Sequence, residues 1–299
     1  MKIKQFVCMH RWKSVSVILK RIAMRAYANS YIRRCVRIFF TQPKPLKWVF
    51  PMGCYNSGTT MTQTILAAHQ DFTTLPREGV RFTSLLPQPE DLGWTRMWVS
   101  CESYMDNSLS QGPVESTYKS IVADWAPWLS TVRSVCMDKS ITNGARIQWM
   151  DEVFPSAYFI GIVRNGYAAC EGMQRKARPK KGARVINGSD TYSLPQVGLQ
   201  WVASNRKLLD EQTKVNKFLL VKYEELLDDP INELNKIWAF LDVEPPTEMY
   251  MDGEALVING YRLPLLKNTN EESMTRLGTK GVEELEPIIG NMMVELGYV

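Results

Sequence analysis

Residues 50–66, FPMGCYNSGTTMTQTIL, constrain the fold of this chain more than any other stretch. An apolar segment, residues 46–52, runs into Gly53. A loop of small residues follows, and a helix is expected from Thr59. At such a strand, glycine loop and helix joint the loop N–H groups converge on one point, and the positive end of the helix dipole faces it. The expectation is a bound phosphate or sulfate. The same letters also fit a plain joint in which Ser57 or Thr59 caps the helix, so the loop alone leaves both readings open.

Gly53 and Gly58 carry the GxxxxG spacing of a Walker loop. A nucleotide triphosphatase then needs Lys to reach the β- and γ-phosphates, and Ser or Thr to hold magnesium. Thr59 and Thr60 follow Gly58 here, so that lysine is missing. A P-loop kinase stays a rival through residues 132–138, an apolar run ending in Asp138 that Arg133 and Ser134 interrupt.

The net charge of +5 conceals an asymmetry. Asp71 is the first carboxylate, and 12 of the 36 Lys and Arg residues precede it, which leaves 24 cations against 31 acids in the remainder. The basic character therefore belongs to an N-terminal arm, residues 1–45, and no nucleic-acid partner is expected of the domain. The cysteines, Cys8, Cys35, Cys54, Cys101, Cys136 and Cys170, form no CxxC pair, and His10 and His69 are the only histidines. Neither a metal site nor a Ser/His/Asp triad is expected. Scattered thiols fit a reducing, cytoplasmic setting.

In the arm, Trp12, Val15, Leu19, Ile22 and Ala26 recur at helical spacing among Lys13, Lys20, Arg21 and Arg25. Its apolar runs are too short for a membrane span, and it lacks the apolar core of a secretory signal. Three readings stay open: a helix on an anionic membrane surface, an acid-poor targeting segment, or a helix packed on the domain with a solvated basic face. Residues 42–45, Gln-Pro-Lys-Pro, break the helix, and the domain is expected over residues 46–299.

Short apolar strands are expected at residues 71–75, 132–137, 156–163 and 217–222, and helices at 59–69, 144–154, 166–177, 194–213, from Pro230, and 282–296. Residues 85–130 read as irregular, with Trp94, Trp98, Tyr104, Tyr118, Trp125 and Trp128 as candidates for core or for an acceptor pocket. Residues 175–184, RKARPKKGAR, are a solvated loop or a lid over an anion. The alternation predicts an α/β fold, a three-layer parallel sheet with helices on both faces and an extra N-terminal basic helix. Ligands of such sheets sit at the carboxyl ends of strands, so Asn56 to Thr60, Asp138, Lys139, Arg164 and Tyr223 should share a crevice.

Four ordered blocks, GCYNSGTTMTQTILAAH, MDKSITNGARIQWMDEVFPSAYFIGIVRNGYAACEG, FLLVKYEELLDDPINELNKIWAFLDV and NTNEESMTRLGTKGVEELEPIIGNMMVELGY, resemble sulfotransferases that use 3′-phosphoadenosine 5′-phosphosulfate (PAPS), nearest the tyrosylprotein and bacterial branch. The resemblance covers residues 48–299. It implies that Tyr55, Asn56, Ser57, Gly58, Thr59 and Thr60 form a P-loop-like cradle for the 5′-phosphosulfate, and that Arg164 binds the 3′-phosphate with Arg175 as a second contact. Tyr223 and Ser273 resemble cofactor-lining positions, Glu78 the catalytic base, and Lys139 the lysine of the family's E/D-K-x-P block. The implied reaction moves the sulfuryl group of PAPS to a hydroxyl or amine of a small-molecule, carbohydrate or peptide acceptor, without a metal.

Two positions depart from that pattern. Asn56 stands where the family usually has Lys or Arg, and Gly172 where it usually has a serine sharing the 3′-phosphate. Lys139, Arg81 or a lid cation would have to replace the first charge, and a backbone N–H or Arg175 the serine. These departures keep open a non-enzymatic alternative, a degenerate sulfotransferase fold that binds an anion or a partner.

Overall fold

The computed structural model describes residues 22–107, 112–177, 191–263 and 267–299. Residues 22–27 are helical, and α1 is Ser30–Arg37. The body then runs β1 (Lys47–Gly53), α2 (Thr59–Ala67), β2 (Phe72–Thr74), α3 (Glu102–Asn107), α4 (Val114–Trp125), β3 (Val135–Met137), α5 (Ile147–Val153) and β4 (Ala157–Val163). It continues with α6 (Gly166–Lys176), α7 (Leu194–Glu211), β5 (Phe218–Lys222), α8 (Tyr223–Asp228) and α9 (Pro230–Leu241). A small antiparallel sheet, β6 (Met249–Asp252), β7 (Ala255–Ile258) and β8 (Tyr261–Arg262), precedes α10 (Asn270–Glu295).

The main sheet is parallel, in the order β2-β3-β1-β4-β5. Alternation along β1 sends Trp48, Phe50 and Met52 into one core and Val49 into the other. Phe159 and Ile160 divide β4 in the same way. Helices cover both faces, which gives the α/β three-layer body the alternation predicts. Pro51 is tolerated in this central strand for a local reason. Trp48 N donates toward β4, to Ser156 O, so alternation turns the Pro51 nitrogen toward β3. β3 ends at Met137, opposite Val49, and leaves no ladder bond to complete there. The chain leaves β1 for β2 and β3 on one side and returns as β4 and β5 on the other, so the switch point lies at the carboxyl end of β1.

Several expectations are corrected. Residues 85–130 are not simply irregular: α4 runs for three turns, and Trp98 and Trp125 are buried in the core. Only the last three residues of the 132–137 run are strand, because Arg133 and Ser134 interrupt the apolar pattern. The final helix begins at Asn270 rather than at residue 282, with a break at Gly278 (φ 66°), so Ser273 is helical. The small sheet, residues 249–262, was not anticipated, because its strands are two to four residues long.

The described part of the arm packs against the body through both apolar and charged side chains, with Tyr27 in the core and Met24 and Val36 against it. Arg33 and Arg37 pair with the buried carboxylate of Asp124, and Tyr27 Oη donates to Asp124 O at 2.7 Å. Ile22 and Ala26, two members of the apolar residues at helical spacing, are exposed, as are Tyr31, Ile38 and Phe39. The rest of the expected arm helix, with Trp12, Val15 and Leu19, lies outside the described residues, as do residues 178–184 of the basic run.

Candidate active site

The carboxyl ends of β1, β3 and β4 open onto a cavity of about 600 Å³. Tyr55, Asn56, Gly58, Thr59 and Thr60 line it from the loop, Glu78 from the turn after β2, Lys139 from the end of β3, and Arg164 from the end of β4. Gly58 caps α2 with φ 96°, a left-handed conformation that favours glycine. A Cβ there would also lie 2.4 Å from Tyr223 Cδ2. Ser57 is fully buried and its Oγ has no hydrogen-bond partner. Asn56 Nδ2 is also buried and unpartnered. A left-handed glycine, the orphaned Asn56 amide and a helix N-terminus make a cradle whose chemistry fits an anion, while Ser57 lies beneath it, off the cavity wall.

Tyr223 sits behind this cradle rather than on the cavity wall. One part of its ring abuts Gly58, and the Arg164 guanidinium lies 4.5 Å from the ring centroid. Three further contacts fix Arg164: Nε donates to Asn270 Oδ1 (2.9 Å), Nη1 to Asn56 O (3.0 Å) and Nη2 to Thr269 Oγ1 (3.0 Å). A guanidinium has five N–H donors, so two remain for a ligand. Asn270 in turn donates to Glu224, which also accepts from Asn165 N and Tyr298 Oη.

On the wall of the same cavity, Lys139 Nζ lies 3.1 Å from Glu78 Oε1. The backbone beneath is held by Asp138, which accepts from Gly79 N, Ser140 Oγ and Asn143 Nδ2. Burial pushes the Asp138 carboxyl up to about 6 against those three hydrogen bonds, with the nearby Glu78 charge adding to the rise. Trp125, a candidate for core or for an acceptor pocket, is core, and its Nε1 donates to Gly79 O, which pins the Glu78 turn.

Two expected contacts are placed elsewhere. Arg175 points away from the cavity and pairs with Glu171, which also receives Arg276. Ser273 is buried, and its Oγ accepts from Arg276 Nη2 at 3.0 Å. The cavity wall carries Lys176 instead, together with Glu90 and Arg96. Burial lowers the Lys176 ammonium, and Arg175, Arg96 and Arg164 lower it further. Arg96 has φ 59°, and its N–H donates to Glu90 Oε1 at 3.3 Å. Asp138 had a signal in its position beside Lys139. Thr269 and Asn270 had none, since they meet Arg164 across more than a hundred residues.

A profile described as "Sulfotransferase family" matches residues 49–247. A Caenorhabditis briggsae protein named "Putative protein-tyrosine sulfotransferase" is 24% identical over 204 residues, which is 67% of each chain. The solved structure of a Mycobacterium avium sulfotransferase, STF9, is 15% identical. It covers 90% of this chain and 81% of its own, with a TM-score of 0.50. A second, STF1 of Mycobacterium tuberculosis, is 14% identical, with 77% of each chain covered and a TM-score of 0.49.

Proposed function

This chain belongs to the sulfotransferase family, and on that premise we propose that it transfers the sulfuryl group of PAPS to an acceptor hydroxyl or amine. The observation that carries the proposal is the Glu78–Lys139 pair, which lines the same cavity as the loop and Arg164. When bound, PAPS supplies an activated sulfuryl group and a phosphate leaving group. The residues present suit it: a left-handed glycine at a helix N-terminus for one anionic end, and a planar, always-charged guanidinium for the other.

Glu78 takes the acceptor's proton as general base. Lys139 and the N-terminus of α2 stabilise charge on the departing oxygen. Thr59 and Thr60 orient the sulfuryl oxygens. Most of the acceleration comes from positioning and charge stabilisation, as in phosphoryl transfer. The kinase reading is disfavoured by Asp138, whose carboxylate is fully buried and already accepts three hydrogen bonds.

The acceptor side is cationic. Arg77 and Arg81 line both this cavity and an adjoining one of about 270 Å³ with Arg25. None of the three forms an ion pair among the described residues. This supports an acceptor with negative charge near its reacting group, and the nematode relative's name makes a peptide tyrosine one candidate. The five described cysteines are free, which supports a reducing compartment. Among the described residues no helix is long and apolar enough to cross a membrane. The outward Tyr31, Ile38 and Phe39, with Arg34 between them, favour peripheral contact with an anionic bilayer.

Calorimetric binding of 3′-phosphoadenosine 5′-phosphate (PAP), beside ATP with magnesium, tests the proposal on wild type and Arg164→Ala. Micromolar binding of PAP, lost in the variant and not matched by ATP, is expected. Preference for ATP would favour the kinase reading, and binding of neither would favour the fold without turnover.

A further inference from the structure

The two positions at which this chain departs from the family pattern touch each other. A Cβ built on Gly172 would lie 3.2 Å from Asn56 Cγ, 3.3 Å from its Cβ and 3.6 Å from its Nδ2. Gly172 therefore leaves the space that the Asn56 side chain fills. Asn56 also has a left-handed backbone, φ 65°. Asn adopts that conformation more readily than most residues, and here it turns the side chain toward α6. The Asn56 carbonyl accepts from Arg164 Nη1 at 3.0 Å, so the residue is bonded directly to the guanidinium. Its amide Nδ2 is buried and has no partner. A buried donor left unpaired is unfavourable, and this one belongs to a residue on the wall of the cavity that Arg164 also lines.

We infer that Asn56 and Arg164 form one anion clamp for the 3′-phosphate, with the Asn56 amide standing in the place that a side chain at 172 would occupy. Asn56 is then a specificity-determining residue for the 3′-phosphate, not a weakened substitute for a cation at the 5′ end. The amide can turn about its last side-chain bond to present its N–H groups to a phosphate oxygen. Arg164 contributes the N–H donors that Asn270, Thr269 and the Asn56 carbonyl leave unused. Changes at 56 and 172 are coupled, because one space holds either a larger residue at 172 or the Asn56 amide. Charge at the 5′ end comes from Lys139. The inference rests on the proposed PAPS-dependent reaction.

The test is calorimetric binding of two probes, PAP and adenosine 5′-phosphosulfate, which lacks the 3′-phosphate. Wild type is compared with Asn56→Gly, which removes the amide without straining the left-handed backbone, and with Asn56→Gly/Gly172→Ser, which returns a hydroxyl to the vacated space. Asn56→Gly should weaken PAP about tenfold or more and adenosine 5′-phosphosulfate less than about twofold. The double variant should recover PAP affinity to within about threefold, whereas Gly172→Ser alone should lose it by displacing Asn56. In turnover, KM for PAPS should rise with kcat nearly unchanged. Equal losses for both probes, or a fall in kcat at constant KM, would assign Asn56 to the 5′ end and overturn the inference. Unchanged PAP affinity in Asn56→Gly would also overturn it. Absence of PAP binding in wild type would remove the underlying reaction instead, before any variant is compared.

Discussion

Asp138 Oδ1 accepts the backbone N–H of Gly79 at 2.7 Å, across 59 residues of sequence. The next residue on each side is also paired, Lys139 with Glu78. The end of β3 thus holds the proposed base twice, once through its backbone turn and once through its carboxylate. A Cβ on Gly79 would lie 2.6 Å from Trp125 and 2.8 Å from Asp138 Cγ. The turn can sit this close to β3 only because that residue has no side chain.

Asp138 should therefore act as a positioning residue. Asp138→Asn keeps the size but places an N–H₂ group against the donor of Asn143 or, with the amide turned over, against those of Gly79 and Ser140. We expect kcat to fall by about ten- to a hundredfold, since small misplacements of a base are costly, while PAP affinity stays within about twofold. Unchanged kcat in a folded Asp138→Asn variant would count against this role.

Glu78→Gln and Lys139→Ala should each lower kcat by on the order of a hundredfold or more, with PAP binding retained. Steady-state kinetics with any accepted phenol or sugar measures this. Full turnover in both variants would remove the proposed roles.

Glu171 supplies an acid-labile clamp between α6 and α10. Burial opposes its ionisation, but Arg276 and Arg175 outweigh burial and hold the carboxyl down at about 2. A lowered folded pKa means that its contribution is present above the unfolded value near 4.5 and is lost as pH falls toward 2. Thermal melts at stepped pH should show wild type more stable than Glu171→Gln at pH 6, with the gap narrowing below about pH 4.5. A gap of constant size would refute the linkage.

The outward surface of α1 and of the turn that follows it, residues 38–39, should bind anionic lipid. Vesicles of phosphatidylglycerol and phosphatidylcholine should sediment the wild-type chain more than pure phosphatidylcholine vesicles do, and added salt should reduce the difference. Replacing Ile38 and Phe39 by Ser should abolish sedimentation without changing PAP affinity. Sedimentation that ignores both lipid charge and this double substitution would exclude the surface.

Much of the architecture was legible because its signals are local. Buried apolar runs marked β1, β4 and β5, and turn residues marked where α2, α6 and α9 begin. The clustering of the loop, Lys139 and Arg164 followed from strand ends in a parallel sheet. Residues 85–130 were harder to read, since prolines and glycines obscured a helix, α4, that tertiary packing stabilises. Arg175 and Lys176 show the limit within one helix: adjacent cations project in different directions, and only Lys176 lines the cavity.

The sequence by itself determined the α/β sheet, the anion-binding loop and the order of the family's blocks, because each rests on periodicity or turn chemistry within a few residues. Only the tertiary structure decided which groups share a cavity, a turn or a carboxylate. Asn56 meets Gly172, Asp138 grips Gly79, and Arg33 is drawn inward by Asp124. Those contacts join segments far apart in the chain. Their partners are chosen by packing and by the need to satisfy buried polar groups, which no local pattern of residues records.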